Sequence, residues 1–380
     1  MIIPKEQLKA EDVRQIVENI LKEHLPIGGD GYKCSQEQVS AVLIKAAVEG
    51  QTIESTCADL ELAVDSNTIR LHLNQAFEAF ALRQHELEMN NGLVAGLPPE
   101  MPERGCAMAL DCHDEPFYGH TPELRSYACH SQAKEGTTHF YRLATLYVMW
   151  RQVRVTLALT YVLPEDSTLA VVTRLLERMG HLHYKPSVLY MDKGFCQGEI
   201  ISYLRRLNIP AVMACPIRGK PGKAGIRALC RGRRSYCTDY TFTDGTVARL
   251  ALVATLVPDK TGKKRRKWLA FVLIHLDWSA QKTGQCYRRR FGIESTYRQL
   301  ARLRIRTTTR NPALRFFVLG FGFLLLNVWA RLRLVAARVI AVGPTRLTPT
   351  AFRLPRFCAF LRRAIEKRFG TPDSIPIYSW

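Results

Sequence analysis

Apolar side chains at Val13, Ile16, Val17, Ile20 and Leu21 fall on one stripe within 11–21, the repeat of an amphipathic helix. A second helix is expected over 38–48, ending near Gly50, and two shorter ones over 52–60 and 67–73. The turn between the short helices holds Asp65 and Ser66, with Ser66 the expected cap of the second. This pair fits a helix-turn-helix with a reading face of Thr68, Arg70 and His72. It fits a plain helical bundle equally well.

Residues 1–90 therefore read as a helical domain, and the Gly- and Pro-rich stretch 91–104 as a linker. Beyond it the period changes. An apolar run at 106–111 and two more within 140–162 predict buried strands. An amphipathic helix over 166–179, a strand at 187–191, a helix over 197–207 and a strand at 211–214 follow. The order is β-β-β-α-β-α-β. From 216 to 282 helical periodicity is absent. Strands at 235–242, 246–256 and 268–276, with a turn at Asp244-Gly245, predict a β-rich insertion with a basic loop at 258–267. Helix returns over 285–302 and 313–330, and 341–380 reads as a basic tail. The fold class is α/β, a mixed sheet flanked by helices over 105–340 with a helical domain before it.

The uncharged apolar run 316–330 is shorter than the roughly 20 residues of a membrane span. A buried core helix is expected there, its Asn327 hydrogen-bonded inside the fold. No basic-then-apolar leader opens the sequence. Eleven scattered cysteines with no C-x-x-C pair argue against a disulfide framework and fit a reducing cytoplasm. His113, His120, His130 and His139 lie near Cys106, Cys112 and Cys129, without the ligand spacing of a zinc site.

Charge sharpens the picture. Residues 1–110 hold 9 Lys/Arg against 17 Asp/Glu, whereas 111–380 hold 45 against 17. The basic body calls for a polyanionic partner, with nucleic acid and an anionic membrane as the competing candidates. Against that background the acids stand out. Asp111 ends the run Cys-Ala-Met-Ala-Leu-Asp and Asp192 ends Val-Leu-Tyr-Met-Asp, placing both at the rim where such sheets bind ligands. Glu294 is the only acid between Lys282 and Arg315 and sits among arginines. On one helix it would share a face with Tyr287, Arg290 and Tyr297 or Arg298. Three converging carboxylates beside dense arginine suit two-metal phosphoryl chemistry.

The run Tyr287-x2-Arg290-x3-Glu294 resembles the Tyr-Arg-Glu-Lys signature of DDE transposases from prokaryotic insertion sequences. Asp111, in Ala-Leu-Asp-Cys-His-Asp-Glu-Pro-Phe-Tyr-Gly, resembles the first catalytic aspartate of that family. Asp192, in Tyr-Met-Asp-Lys-Gly-Phe, resembles the second. The element order also resembles its ribonuclease-H-like core, over roughly 105–335. One departure concerns the signature lysine, whose position 301 is Ala; Arg302 beside it or Arg298 a turn earlier is left to make that contact. Asp114 rivals Asp111 as the first ligand, and Asp111 is preferred because it terminates the apolar run.

The resemblance implies metal-dependent cleavage at element ends, then strand transfer into target DNA. Asp111, Asp192 and Glu294 would ligate two Mg²⁺, with Mn²⁺ as a substitute. Tyr287, Arg290 and Lys193 would contact DNA, as would Arg298 and Arg302, and Lys264, Arg265 and Arg266 would clamp it from the basic loop. A homodimer on terminal inverted repeats, in the cytoplasm at the nucleoid and with no membrane partner, is expected. A nuclease that cuts without joining and an inactive relic that binds DNA as a regulator are the alternatives.

Overall fold

The computed structural model describes residues 7–28, 30–31, 33–62, 64–119, 121–150, 153–258, 262–291, 297–336, 338–339, 346–347 and 352–374. Glu294 and His120 lie outside them. The chain opens with helices α1 (Ala10–His24), α2 (Gln36–Glu49), α3 (Ile53–Ala58), α4 (Ser66–Ala76) and α5 (Leu82–Ala95). Local chemistry sets their ends. Ser35 caps α2 by accepting from the Gln38 N–H, and Gly50 closes it at φ 65°. The cap of α4 is Asp65, which accepts from Asn67 N at 2.8 Å. Ser66, the expected cap, is instead buried and receives Arg70 at 2.9 Å.

The central sheet is built from β1 (Ala107–Pro116), β2 (Cys129–Lys134), β3 (Thr137–Trp150) and β4 (Val153–Val162). Helix α6 (Thr168–His181), β5 (Val188–Met191), α7 (Gly198–Arg206) and β6 (Ala211–Cys215) come next. The insertion supplies β7 (Tyr236–Thr241), β8 (Val247–Pro258) and β9 (Lys264–Ile274). Strand order is β2-β3-β1-β5-β6-β9-β8-β7, with β4 also paired to β3. Thus β4-β3-β1-β5-β6 forms a ribonuclease-H-like core, antiparallel through β1 and parallel from β1 to β5 and β6. The insertion is no separate layer: β9 pairs antiparallel with β6 and extends the same sheet.

Alternation along the strands divides the core in two. Met108 and Leu110 of β1, with Leu189 and Met191 of β5, pack beneath α6 and α7. Ala109, Val188 and Tyr190 face the other way, toward α8 (Ala280–Tyr287) and α9 (Pro312–Ala336). Helix α9 is long and apolar enough to cross a membrane, yet its most apolar stretch is 94% buried in the fold. It is the expected core helix, and Asn327 within it is fully hydrogen-bonded to Thr156 and Leu93.

Three boundaries differ from expectation. Helix α5 continues through 91–95, and Leu97 and Met101 beyond it are buried, so the linker composition marks a packed connection. The expected tail contains α10 (Leu354–Phe369), which docks on α1 and α2. Lys45 of α2 reaches Glu366 of α10 at 2.8 Å and Glu49 at 2.9 Å, and Arg368 pairs with Glu37. The acidic head thus finds basic partners in its own chain. Lastly, the expected helix 285–302 is interrupted. Helix α8 ends at Tyr287 and a 3₁₀ turn covers Arg288–Phe291, where three successive arginines repel one another. Residues 297–300 are helical again.

Candidate active site

Strand β1 pairs in parallel with β5 from Ala107↔Val188 to Leu110↔Met191. One residue further, that register sets Asp111 beside Asp192. Asp111 does not end its strand, as the apolar run suggested, because β1 continues to Pro116 against β3. It is the first residue past the pairing with β5, where β1 loses its parallel neighbour and its side chains turn polar. Both aspartates line a cleft of ≈ 540 Å³ with Asp114, Arg142, Asp166 and Phe195.

The Arg290 guanidinium lies between the two carboxylates, with Nη1 3.6 Å from Asp111 and Nη2 3.5 Å from Asp192. Burial pushes the Asp111 carboxyl up to about 6, opposed by Arg290 and by the Cys112 N–H at 3.1 Å. A buried carboxylate so disfavoured gains from added positive charge, and its hard oxygens suit Mg²⁺-like cations. The aspartate pair therefore fits a divalent ion. Among the described residues no group of three metal-ligating side chains forms, and Glu294, the expected third ligand, lies outside them.

Asp114 is otherwise engaged. Arg142 grips it with two hydrogen bonds, at 2.6 and 2.9 Å. It also sits an odd number of residues from Asp111, so its side chain leaves β1 on the other side, although both reach the one cleft at the strand edge. Geometry favours Asp111.

Tyr287 departs from the DNA contact expected of it. It is buried, and its hydroxyl donates to the Met191 carbonyl at 3.0 Å. Its ring packs against Tyr190 and Phe271. At Gly284, one turn before it, an added Cβ would lie 2.9 Å from Val253, so glycine lets α8 settle onto the sheet. Tyr287 therefore fixes the end of β5, directly before Asp192.

The remaining expected residues are dispersed. Lys193 is exposed in the 3₁₀ turn after Asp192. Arg298 is exposed beside the half-buried Tyr297. Arg302 lines a different cleft, with Glu49, Cys358 and Arg362. Lys264, Arg265 and Arg266 belong to strand β9, where the basic loop was expected, because the β8–β9 pairing continues to Pro258↔Lys264. His72 contacts the Ile27 carbonyl at 3.3 Å and is thereby removed from the expected reading face.

A cluster near Asp111 escaped the sequence reading. His113 shares the Asp111 face of β1 and meets Glu115 at 2.9 Å, which accepts from Arg304 at 2.7 Å. Tyr297 stacks on His113 at 4.8 Å, and its hydroxyl lies 3.2 Å from Thr145 Oγ1. Thr145 in turn donates to the Asp111 carbonyl at 3.3 Å. At Gly322 of α9 an added Cβ would lie 2.9 Å from the Leu303 carbonyl, so glycine admits the chain that follows Tyr297. The alternation of Asp111, His113 and Glu115 was the available signal.

Comparison with known proteins bears on the family and the fold. No curated protein matches the sequence. The fold is similar to that of piggyBac transposase in a synaptic complex with hairpin DNA, with TM-score 0.57 and 11% identity over 97% of this chain and 80% of that one. A family model described as transposase DDE domain matches residues 127–328, more than half of the chain. That match includes Asp192 and Glu294 and begins after Asp111, whose assignment rests on the β1–β5 register. The chain belongs to the transposase DDE domain family.

Proposed function

We propose that the protein is the transposase of a prokaryotic insertion sequence, cleaving DNA at the ends of its element and joining the freed 3′ ends to target DNA. The observation that carries this reading is the adjacency of Asp111 and Asp192 past the end of a parallel strand pair, bridged by Arg290. Asp111, Asp192 and Glu294 would hold two divalent ions, Mg²⁺ or in its place Mn²⁺. Such ions activate the attacking oxygen and stabilise the leaving one. Arg290 balances the paired carboxylates and offers a guanidinium to the scissile phosphate. Tyr287 holds the backbone before Asp192. Exposed Lys193 and Arg298 flank the site as phosphate contacts, and the ribbon carrying Lys264, Arg265 and Arg266 supplies a further basic surface. Two ends must be processed together, so a homodimer on the terminal inverted repeats is part of the proposal, as is action at the nucleoid in the cytoplasm.

The test is incubation with Mg²⁺ and a plasmid carrying the repeats that flank the gene. The proposal expects nicks exposing 3′-hydroxyls at the element ends and joined products in target DNA. Cleavage without joined products would leave a nuclease. DNA binding without cleavage would leave a regulatory relic.

A further inference from the structure

The chain segment 304–309 is anchored at Arg304 and at Arg306. Arg304 bonds Glu115 at 2.7 Å, on the Asp111 face of β1 and four residues, roughly 13 Å, further along the strand. Arg306 donates its backbone N–H to the Gln51 carbonyl at 2.8 Å, and Thr52 bridges to Arg306 in parallel at the start of α3. This stretch and α4 enclose a groove of ≈ 420 Å³. Its polar lining includes Arg70 and Asn74 of α4 together with Arg306, Thr307, Thr308 and Thr309.

Two guanidiniums, an amide and three consecutive hydroxyls form a donor-rich surface. Glu54, 3.7 Å from Arg70, is the one carboxylate among the described lining residues. Among the described residues the lining contains no aromatic ring on which a base would stack. Arginine and hydroxyl donors without stacking platforms match phosphate and sugar oxygens, which position a duplex rather than read its sequence.

We propose that this groove holds the phosphate backbone of the DNA duplex leading away from the cleavage point. The grip is shared between α4 and 304–309, which ties the N-terminal helices to the catalytic sheet across one ligand. In this arrangement α4 contributes a positioning contact through Arg70 and Asn74. The inference rests on the transposase reading for its ligand, DNA, and can fail independently of it.

The experiment measures binding of the full chain, in EDTA to prevent cleavage, to a labelled terminal-repeat duplex and to an unrelated duplex across a salt series. The variants are Arg306→Ala and Thr308→Ala. Both side chains are exposed and the anchoring bonds of Arg306 are backbone bonds, so wild-type melting temperatures are expected. Arg306→Ala should weaken binding to both duplexes alike and reduce the slope of log K against log salt by about 0.9. Thr308→Ala should weaken binding with the slope unchanged. Wild-type affinity and slope in Arg306→Ala would overturn the groove while leaving the transposase reading intact. Loss confined to the terminal-repeat duplex would also overturn it, because that result signals base reading. Failure of the wild type to bind either duplex would overturn both readings.

Discussion

The hydroxyl of Tyr287 donates a 3.0 Å hydrogen bond to the backbone carbonyl of Met191, the residue immediately before Asp192. A side chain from α8 thereby fixes the end of the strand that presents Asp192, a carboxylate assigned to catalysis in the proposed function. Tyr287→Phe keeps the ring packing on Tyr190 and Phe271 and removes the hydroxyl together with its bond to Met191. The expected cost is about 1 kcal/mol of stability. A lower cleavage rate with unchanged affinity for DNA should accompany it, since the tyrosine is buried away from the ligand. Chemical denaturation and single-turnover kinetics together check this.

Asp111 gives the metal-free protein a pH dependence of definite sign. Its folded-state pKa is raised to about 6 by burial, above its ordinary value of 3.8. The native state therefore holds a proton that the unfolded state releases between these values. Stability from this group is present below the ordinary value and is lost as pH rises through about 6. Asp111→Asn should stabilise the protein in EDTA at pH 8, by at most about 3 kcal/mol, with little gain at pH 4. Added Mg²⁺ should raise the melting temperature of the wild type and not that of the variant. Thermal melts at the two pH values, with and without Mg²⁺, measure both effects.

The outer edge of β4 is closed by side chains. Asn327 accepts from Thr156 N at 2.8 Å and donates to the Thr156 carbonyl at 2.8 Å. Asn90 does the same for Leu159, at 2.7 and 2.8 Å, and Glu86 accepts from Tyr161 N at 3.0 Å. An exposed edge would template pairing with another chain. Asn327→Leu strands the N–H and C=O of Thr156 and the Leu93 carbonyl in a dry core. It should cost roughly 3 kcal/mol or more, read as a lowered urea midpoint with unchanged slope.

Much of this fold is legible in the sequence because it is periodic. Buried strands such as β5 and β6, and the helices α6 and α9, follow directly from apolar spacing. The aspartate pair is legible as acids ending apolar runs. What the pattern leaves open depends on distant partners. Tyr287 reads as a DNA contact until Met191 is beside it, and Asp114 competes with Asp111 until Arg142 is seen to grip it. The basic 341–380 reads as a tail because the acids that α10 meets, Glu37 and Glu49, lie some 300 residues earlier. Likewise Lys264 to Arg266 read as loop because strand pairing, which extends β8 and β9 beyond their apolar core, leaves no mark on a charged sequence.

The two aspartates of β1 give the assignment a built-in contrast. Asp114 is neutralised by Arg142 across the β1–β3 pair, so Asp114→Asn should retain most cleavage activity and lose some stability. Its effect on the melting temperature should exceed its effect on the rate.

Mg²⁺-dependent cleavage of terminal-repeat DNA by the wild type, Asp111→Asn, Asp192→Asn and Asp114→Asn, with each protein's fold verified by its melt, tests the paired aspartates most directly. The predicted result is cleavage to 3′-hydroxyl ends by the wild type and Asp114→Asn, and none above background by Asp111→Asn or Asp192→Asn. Cleavage at the wild-type rate by either Asp111→Asn or Asp192→Asn would contradict it.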